Sequence, residues 1–408
     1  MPIRPILSTL RHHKLTAALL AMQVALTCAI VCNAAFMVAD RASRMRLPSG
    51  MAEAELSMVR SSSIDPAANL QARHAADLAA LRAIPGVKAA VAVDSLPLSG
   101  SVDGYGACAD KATMERAMAA RAMVSGCLTF TEYSGTPGTR EALGLRLVAG
   151  RDFRPGEFGT ADHPPVGIVS RSLADALYPD GRAVGRTLYF PGGTLRIVGV
   201  VDTLLAPVLR KPAGYQHTML WPKLPNRSHV TYVLRSAPAD RARVLKAAVG
   251  ALTRLDPQRL IPAKSVRTYA DLRHDYFRRD ATMIGLLLAT ALGLLFVTAL
   301  GIAGLAGFWV QQRTRSIGIR RAIGATRGDI LRYFQAENAL IVGFGALLGM
   351  LLAVLLNLLL MRHYELQRLP LYYLPVGAVA LWLLGQLAVL TPALRAAAVP
   401  PVVATRSV

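Results

Sequence analysis

The sequence predicts a membrane α-helical protein of four transmembrane helices that carries an α+β extracytoplasmic domain. Three observations lead there. Of 408 residues, 53% are hydrophobic and 17% charged, too apolar for an ordinary soluble chain and too charged for one lying wholly in lipid. Four apolar runs reach the roughly 20 residues that a helix needs to cross about 30 Å of hydrocarbon. The first two runs are separated by a long segment, 40–280, patterned as strands and helices of a water-soluble domain.

Residues 1–14 place Arg4, Arg11 and Lys14 ahead of the apolar run 15–39. That run is too long for the core of a signal peptide and right for a membrane helix. The positive-inside rule puts the amino terminus in the cytoplasm. Three further spans are expected at 281–310, 335–361 and 372–392, with Trp309, Tyr372 and Tyr373 as interface anchors. Alternating crossings then place 40–280 outside, and both the loop 311–332 and the tail 393–408 inside. Gly301, Gly304, Gly307 and the pair Gly345 and Gly349 permit close backbone approach. Two readings stand for them: a specific dimer seam, or the ordinary glycine content of membrane helices.

The external segment contains an internal echo. A strand at 54–60, a helix at 67–83 and a strand at 87–93 are matched by a strand at 231–235, a helix at 240–255 and a strand at 260–266. In the second helix Val244, Leu245, Ala248, Val249 and Leu252 share one face, as a helix covering a sheet requires. Two βαβ halves, 50–100 and 215–272, predict a ferredoxin-like, porter-type layer. The region between them, 101–214, is broken by glycine and proline and carries short β-branched runs. It reads as a β-rich inserted lobe.

The loop between the second and third spans is the most informative stretch. Placing an arginine at mid-bilayer costs about 2.5 to 3.5 kcal/mol on insertion scales, so Arg313, Arg315, Arg320, Arg321, Arg327 and Arg332 must lie outside the hydrocarbon. Gly324 supplies a left-handed helix cap, and Thr326 with Asp329 three residues later starts the next helix as a capping box. A helical elbow follows. Glu337 sits where the third span enters the membrane, and there an ionisable group suggests function. It is expected either to pair with Arg332 or Arg327, tying elbow to helix, or to stand at headgroup level in water.

The string Arg313-Thr-Arg-Ser-Ile-Gly-Ile-Arg-Arg-Ala-Ile-Gly-Ala-Thr326 resembles the signature of FtsX/MacB-type ABC transporter permeases. Ser316 replaces the usual glutamate, and Ile323 replaces leucine. The resemblance extends to Leu147-Val-Ala-Gly-Arg-Asp-Phe153, Val166-Gly-Ile-Val-Ser170, Tyr178-Pro-Asp-Gly-Arg-Ala-Val-Gly-Arg186 and Arg196-Ile-Val-Gly-Val-Val201, which are similar to the MacB-type periplasmic core domain. It implies that Arg313, Arg315, Ile317, Arg320, Arg321, Ile323, Gly324 and Ala325 contact an ABC ATPase subunit. It further implies a second permease subunit, homo- or heterodimeric, a periplasmic adaptor, and export driven by ATP that the partner consumes. This chain itself would bind no cofactor. The expected location is a bacterial inner membrane. The division-linked branch of the family suggests an alternative, a signalling scaffold that activates a cell-envelope hydrolase; a membrane-anchored sensor is a third reading.

Other chemistry is absent from the sequence. No G-x-x-x-x-G-K-[ST], H-E-x-x-H or G-x-S-x-G occurs. His74, His163, His217, His229, His274 and His363 are isolated. The net charge of +21 is scattered, without a nucleic-acid recognition motif. Cys28 and Cys32 read as buried helix thiols. Cys108 and Cys127 are open to a disulfide only if their segment is exported.

Overall fold

The computed structural model describes residues 14–63, 69–100, 104–161, 164–209, 216–364 and 368–398. Residues 1–13 with Arg4 and Arg11, His163, and the tail 399–408 lie outside the described residues. The chain forms two compact units: Met1–Arg46 with Arg279–Val408, and Leu47–Arg278.

The first unit holds helices α1 (Lys14–Met45), α8 (Thr314–Ala322), α9 (Arg327–Tyr364) and α10 (Tyr373–Ala398). It also holds the larger part of α7 (Tyr269–Gln312). Among the described residues, α1, α7, α9 and α10 are long and apolar enough to cross a membrane. Each helix runs past the apolar stretch that signals it. The polar residues at its ends keep their backbone bonds inside the helix, so leaving the apolar zone does not end it.

Close packing in this unit is set by small residues. A Cβ on Gly345 would stand 2.7 Å from the Ala21 carbonyl oxygen, and one on Gly349 would stand 2.5 Å from the Cβ of Cys28. The Gly345 and Gly349 pair therefore serves contact between α9 and α1 of the same chain. Polar side chains join the helices at buried positions. Thr27 and Thr298 hydroxyls meet at 2.8 Å, Asn33 donates to the Ala353 carbonyl at 3.1 Å, and Asn338 donates to the Gly385 carbonyl at 2.9 Å.

In the second unit, strands β1 (Leu56–Ser62), β2 (Val87–Val93), β10 (His229–Ser236) and β11 (Val266–Thr268) form one sheet in the order β11-β1-β10-β2. All its pairings are antiparallel. Helices α2 (Leu70–Arg82) and α6 (Arg241–Leu255) cover one face through Leu78, Leu81, Val244, Ala248 and Leu252. Each large aliphatic side chain so buried contributes about 1.5 to 3 kcal/mol. Residues 260–266 do not form the strand expected of them. Leu260 makes a single bridge to Ser62, Ala263–Ser265 is a short 3-10 turn, and the edge strand begins only at Val266. Pro262 has no N–H to give a ladder, which delays the strand.

Beneath α2 and α6 lies a buried polar network. Arg259 donates from both terminal nitrogens to the two carboxylate oxygens of Asp77, at 2.9 and 2.8 Å. The Tyr232 hydroxyl donates to the same carboxylate at 2.5 Å. His74 lies 3.0 Å from that hydroxyl, and burial pushes its pKa down.

The inserted lobe is built from β3 (Gly104–Cys108), β4 (Cys127–Ser134), β5 (Leu147–Gly150), β6 (Val166–Ser170), β7 (Thr187–Phe190), β8 (Gly193–Val201) and β9 (Thr218–Trp221), and helices α3 (Lys111–Ala120), α4 (Thr139–Leu143) and α5 (Arg171–Leu177) run between its strands. The order is β5-β8-β6-β9-β4-β3-β7, and because β7 also pairs with β8 the sheet closes into a ring. Strand β9 falls in the segment 215–272 expected to belong to the other layer. It pairs with β4 and β6 instead, because Met219 and Trp221 fill the lobe's core beside Phe130, Phe190 and Cys108. Cys108 and Cys127 face each other across β3 and β4 and are joined by a disulfide.

Candidate functional site

The elbow is assembled from the end of α7, the short helix α8 and the start of α9. Arg313 closes α7, its N–H reaching the Trp309 and Val310 carbonyls at 3.1 and 3.2 Å, and then opens α8. Helix α8 ends in a Schellman motif. The Gly324 N–H donates to the Arg321 carbonyl at 3.2 Å and the Ala325 N–H to the Arg320 carbonyl at 3.0 Å. Gly324 takes φ +107°, a conformation that explains the glycine, since no atom crowds its α-carbon. The next helix starts with the expected capping box. The Thr326 N–H donates to Asp329 at 3.0 Å, and the Asp329 N–H donates to the Thr326 hydroxyl at 3.2 Å.

Glu337 has a different partner from the one expected. Its side chain is 2% exposed, and Arg313 Nη1 donates to its carboxylate oxygens at 2.9 and 3.2 Å. Arg332 is exposed. It precedes Glu337 by five residues in one helix, which at 3.6 residues per turn places it about 140° around the axis. The end of α7 is thus fastened to α9 by charge, while the Trp309 ring, one turn back on α7 itself and 5.8 Å from the guanidinium, helps to hold Arg313 in place.

The predicted contact residues divide into two sets. Ile317 is 5% exposed and packs with Leu20, Trp309, Ile330, Phe334 and Val389, so it anchors the elbow to the bundle and is not available to a partner. Ile319 at 47% and Ile323 at 82% are exposed. Residue 319 was missed in the sequence. The signal was there: positions 319 and 323 are one helical turn apart, and 317 is on another face. Arg320 lies with its guanidinium 5.1 Å from the Tyr333 ring, which holds α8 against α9. The Ser316 hydroxyl donates to the Arg313 carbonyl at 2.9 Å, a local bond within the first turn of α8. The side chain of Arg315 lies outside the described residues.

The outcome is a short helix whose one face is locked into the bundle by Ile317, by Arg320 on Tyr333 and by Arg313 on Glu337. Its other face presents two isoleucines.

Comparison with known proteins gives two family matches. The family model for the MacB-like periplasmic core domain matches residues 18–250, and that for the FtsX-like permease C-terminal region matches residues 288–401. The chain is 29% identical over 280 residues to the macrolide export ATP-binding/permease protein MacB 1 of Aeromonas hydrophila, over 64% of this chain and 41% of that protein. To the corresponding MacB of Pasteurella multocida it is 26% identical over 216 residues, 52% of this chain and 32% of that one. An uncharacterized ABC transporter permease, YvrN of Bacillus subtilis, is 25% identical over 219 residues, covering 51% and 53%. The chain thus spans between 32% and 41% of the two macrolide-export relatives' lengths. Among solved structures, the periplasmic region of MacB from Actinobacillus actinomycetemcomitans aligns over 53% of this chain and 92% of that one, with 13% identity and a TM-score of 0.34.

Proposed function

The chain belongs to the family of ABC transporter permeases of the MacB and FtsX type, and on that premise we propose that it is a mechanotransmission subunit. An ABC ATPase docks on the elbow from the cytoplasm, and its cycle moves the 40–280 domain on the far side of an inner membrane. We read the sheet β11-β1-β10-β2 with α2 and α6 as the two βαβ halves of a ferredoxin-like, porter-type layer. A second permease copy and a periplasmic adaptor would complete an exporter. The cargo class follows the relatives named for macrolide export only by analogy.

The observation that carries this reading is the contrast on α8 between buried Ile317 and exposed Ile319 and Ile323. A solvated loop gains nothing from two exposed isoleucines. Burying each in a partner groove is worth about 1.5 to 3 kcal/mol. Helix α7 runs unbroken from Tyr269 to Gln312 and ends at the elbow.

The test is co-purification of the full chain with its ATPase, together with the ATPase rate of the reconstituted complex. Ile323→Asp and Arg321→Glu are expected to lose association while membrane insertion is retained. Association and turnover at the parent level in both variants would overturn the coupling role.

A further inference from the structure

We infer that the second unit carries a binding pocket for a small tetrahedral oxyanion, either free phosphate or the phosphate of a lipid headgroup. The pocket is a cavity of about 70 Å³ lined by Arg60, Ser95, Ser99, Thr231, Ser265 and Arg267. A water needs only about 10 to 15 Å³ of such space, so the cavity has room for one such anion. This proposal does not depend on the elbow or on an ATPase.

Strand register builds the pocket. Arg60 stands opposite Thr231, and Met58 stands opposite Arg267. Successive side chains of a strand alternate between faces, so Met58 and Arg60 share a face, and on β10 Thr231 and Val233 share it too. On that face Met58, Val91, Val93 and Val233 belong to the apolar core. At Arg60 and Thr231 the apolar pattern stops and polar side chains replace it. Leu96, buried in the same core, belongs to the loop after β2 that supplies Ser95 and Ser99.

The donors there outnumber the acceptors. Among the described residues, neither Arg60, which is exposed to solvent, nor the hydroxyls of half-buried Ser95 and Ser265 and of buried Thr231 has a side-chain hydrogen-bond or ion-pair partner. The Ser99 hydroxyl accepts weakly from the Leu96 N–H at 3.4 Å. Arg267 spends one terminal nitrogen on Asp275 at 3.1 Å, and its Nε–H is buried without an acceptor. A buried donor without a partner is costly, and in native proteins such a group is commonly satisfied by an ion or water. Two guanidiniums and four hydroxyls, with the Asp275 carboxylate paired to Arg267 and Asp271 close enough to feel its charge, suit a polyoxygen anion. Phosphate offers four acceptor oxygens, and arginine's planar fork matches their geometry.

The experiment is calorimetric titration of the full chain in detergent with inorganic phosphate, and separately with a soluble short-chain phosphatidic acid. Saturable binding of at least one is expected. Phosphate alone identifies a free ion as the ligand, and phosphatidic acid alone identifies a headgroup. Arg60→Gln should weaken binding at least 10-fold while Arg60→Lys loses less. Ser99→Ala, which leaves the sheet untouched, should weaken it several-fold. Absence of saturable binding by either probe, or equal affinity in the parent, Arg60→Gln and Ser99→Ala proteins, would overturn the proposal.

Discussion

Arg313, at the junction of α7 and α8, stands 24 residues from Glu337 on α9, and a single guanidinium nitrogen reaches both carboxylate oxygens. Both are poorly exposed, at 17% and 2%. Removing one member of such a pair leaves a buried charge without compensation and typically costs about 3 to 5 kcal/mol, whereas replacing both costs far less.

The first prediction follows. Glu337→Gln in the full chain should lower the thermal midpoint in detergent and reduce partner-stimulated turnover. The double variant Arg313→Met with Glu337→Leu should recover the midpoint and leave turnover low. Recovery of turnover in the double variant would mean that the pair contributes only stability.

A second prediction separates glycines that are needed from those that are not. Gly349→Ala would force a Cβ to 2.5 Å from Cys28 and 2.8 Å from the Ala25 carbonyl oxygen, and neither is the end of a flexible chain. Helices α1 and α9 must move apart, at a cost of about 1 to 3 kcal/mol. Gly304→Ala meets open space and should be neutral or slightly stabilising. Thermal unfolding of the two variants in the same detergent decides the matter. Equal midpoints would remove the seam from the account of packing.

Much of this was legible because the signals are local. The capping box at Thr326 and Asp329 and the cap at Gly324 depend on residues within one turn, and they appear where the spacing placed them. The four long helices announce themselves by apolar runs. What failed was pairing at a distance. Nothing local distinguishes Arg313 from Arg332 as partner for Glu337, apart from the helical angle that turns Arg332 away. Strand β9 lies in a segment expected to join the other layer, because a buried strand's sequence shows that it is apolar but not which neighbours it joins. Ile317 and Ile323 look alike in the string, and only the packing of α8 on Phe334 and Ile330 tells anchor from exposed face.

The disulfide gives a third prediction. Cys108 and Cys127 close a loop with sequence separation 19, for which chain entropy alone suggests about 3 kcal/mol. The chain has four cysteines, and Cys28 and Cys32 are free thiols in α1. Alkylation of the non-reduced protein after denaturation should therefore add two groups, and reduction beforehand should add four. Cys108→Ser with Cys127→Ser should lower the unfolding midpoint. Four groups added without reduction would show that the lobe does not reach an oxidising compartment.

The last prediction concerns acid. The Glu157 carboxylate accepts from both terminal nitrogens of Arg151 and from the Arg154 N–H at 2.8 Å. The bidentate Arg151 bond holds its pKa down at about 2, against an ordinary value of 4.5. Because the folded-state pKa lies below the unfolded one, the pair contributes stability that is fully present above about pH 4.5 and is lost as pH falls toward 2. At 1.36 kcal/mol for each pH decade the ceiling is about 3 kcal/mol, and solvent screening of a pair at 33% and 18% exposure reduces it to about 1 to 2 kcal/mol. Glu157→Gln should therefore be less stable than the parent at pH 7 and approach it at pH 3. The difference between the two midpoints, followed from pH 7 down to 3, is the quantity to measure. A difference that stays constant across that range would show that Arg151 holds Glu157 no more tightly in the folded chain than water does in the unfolded one.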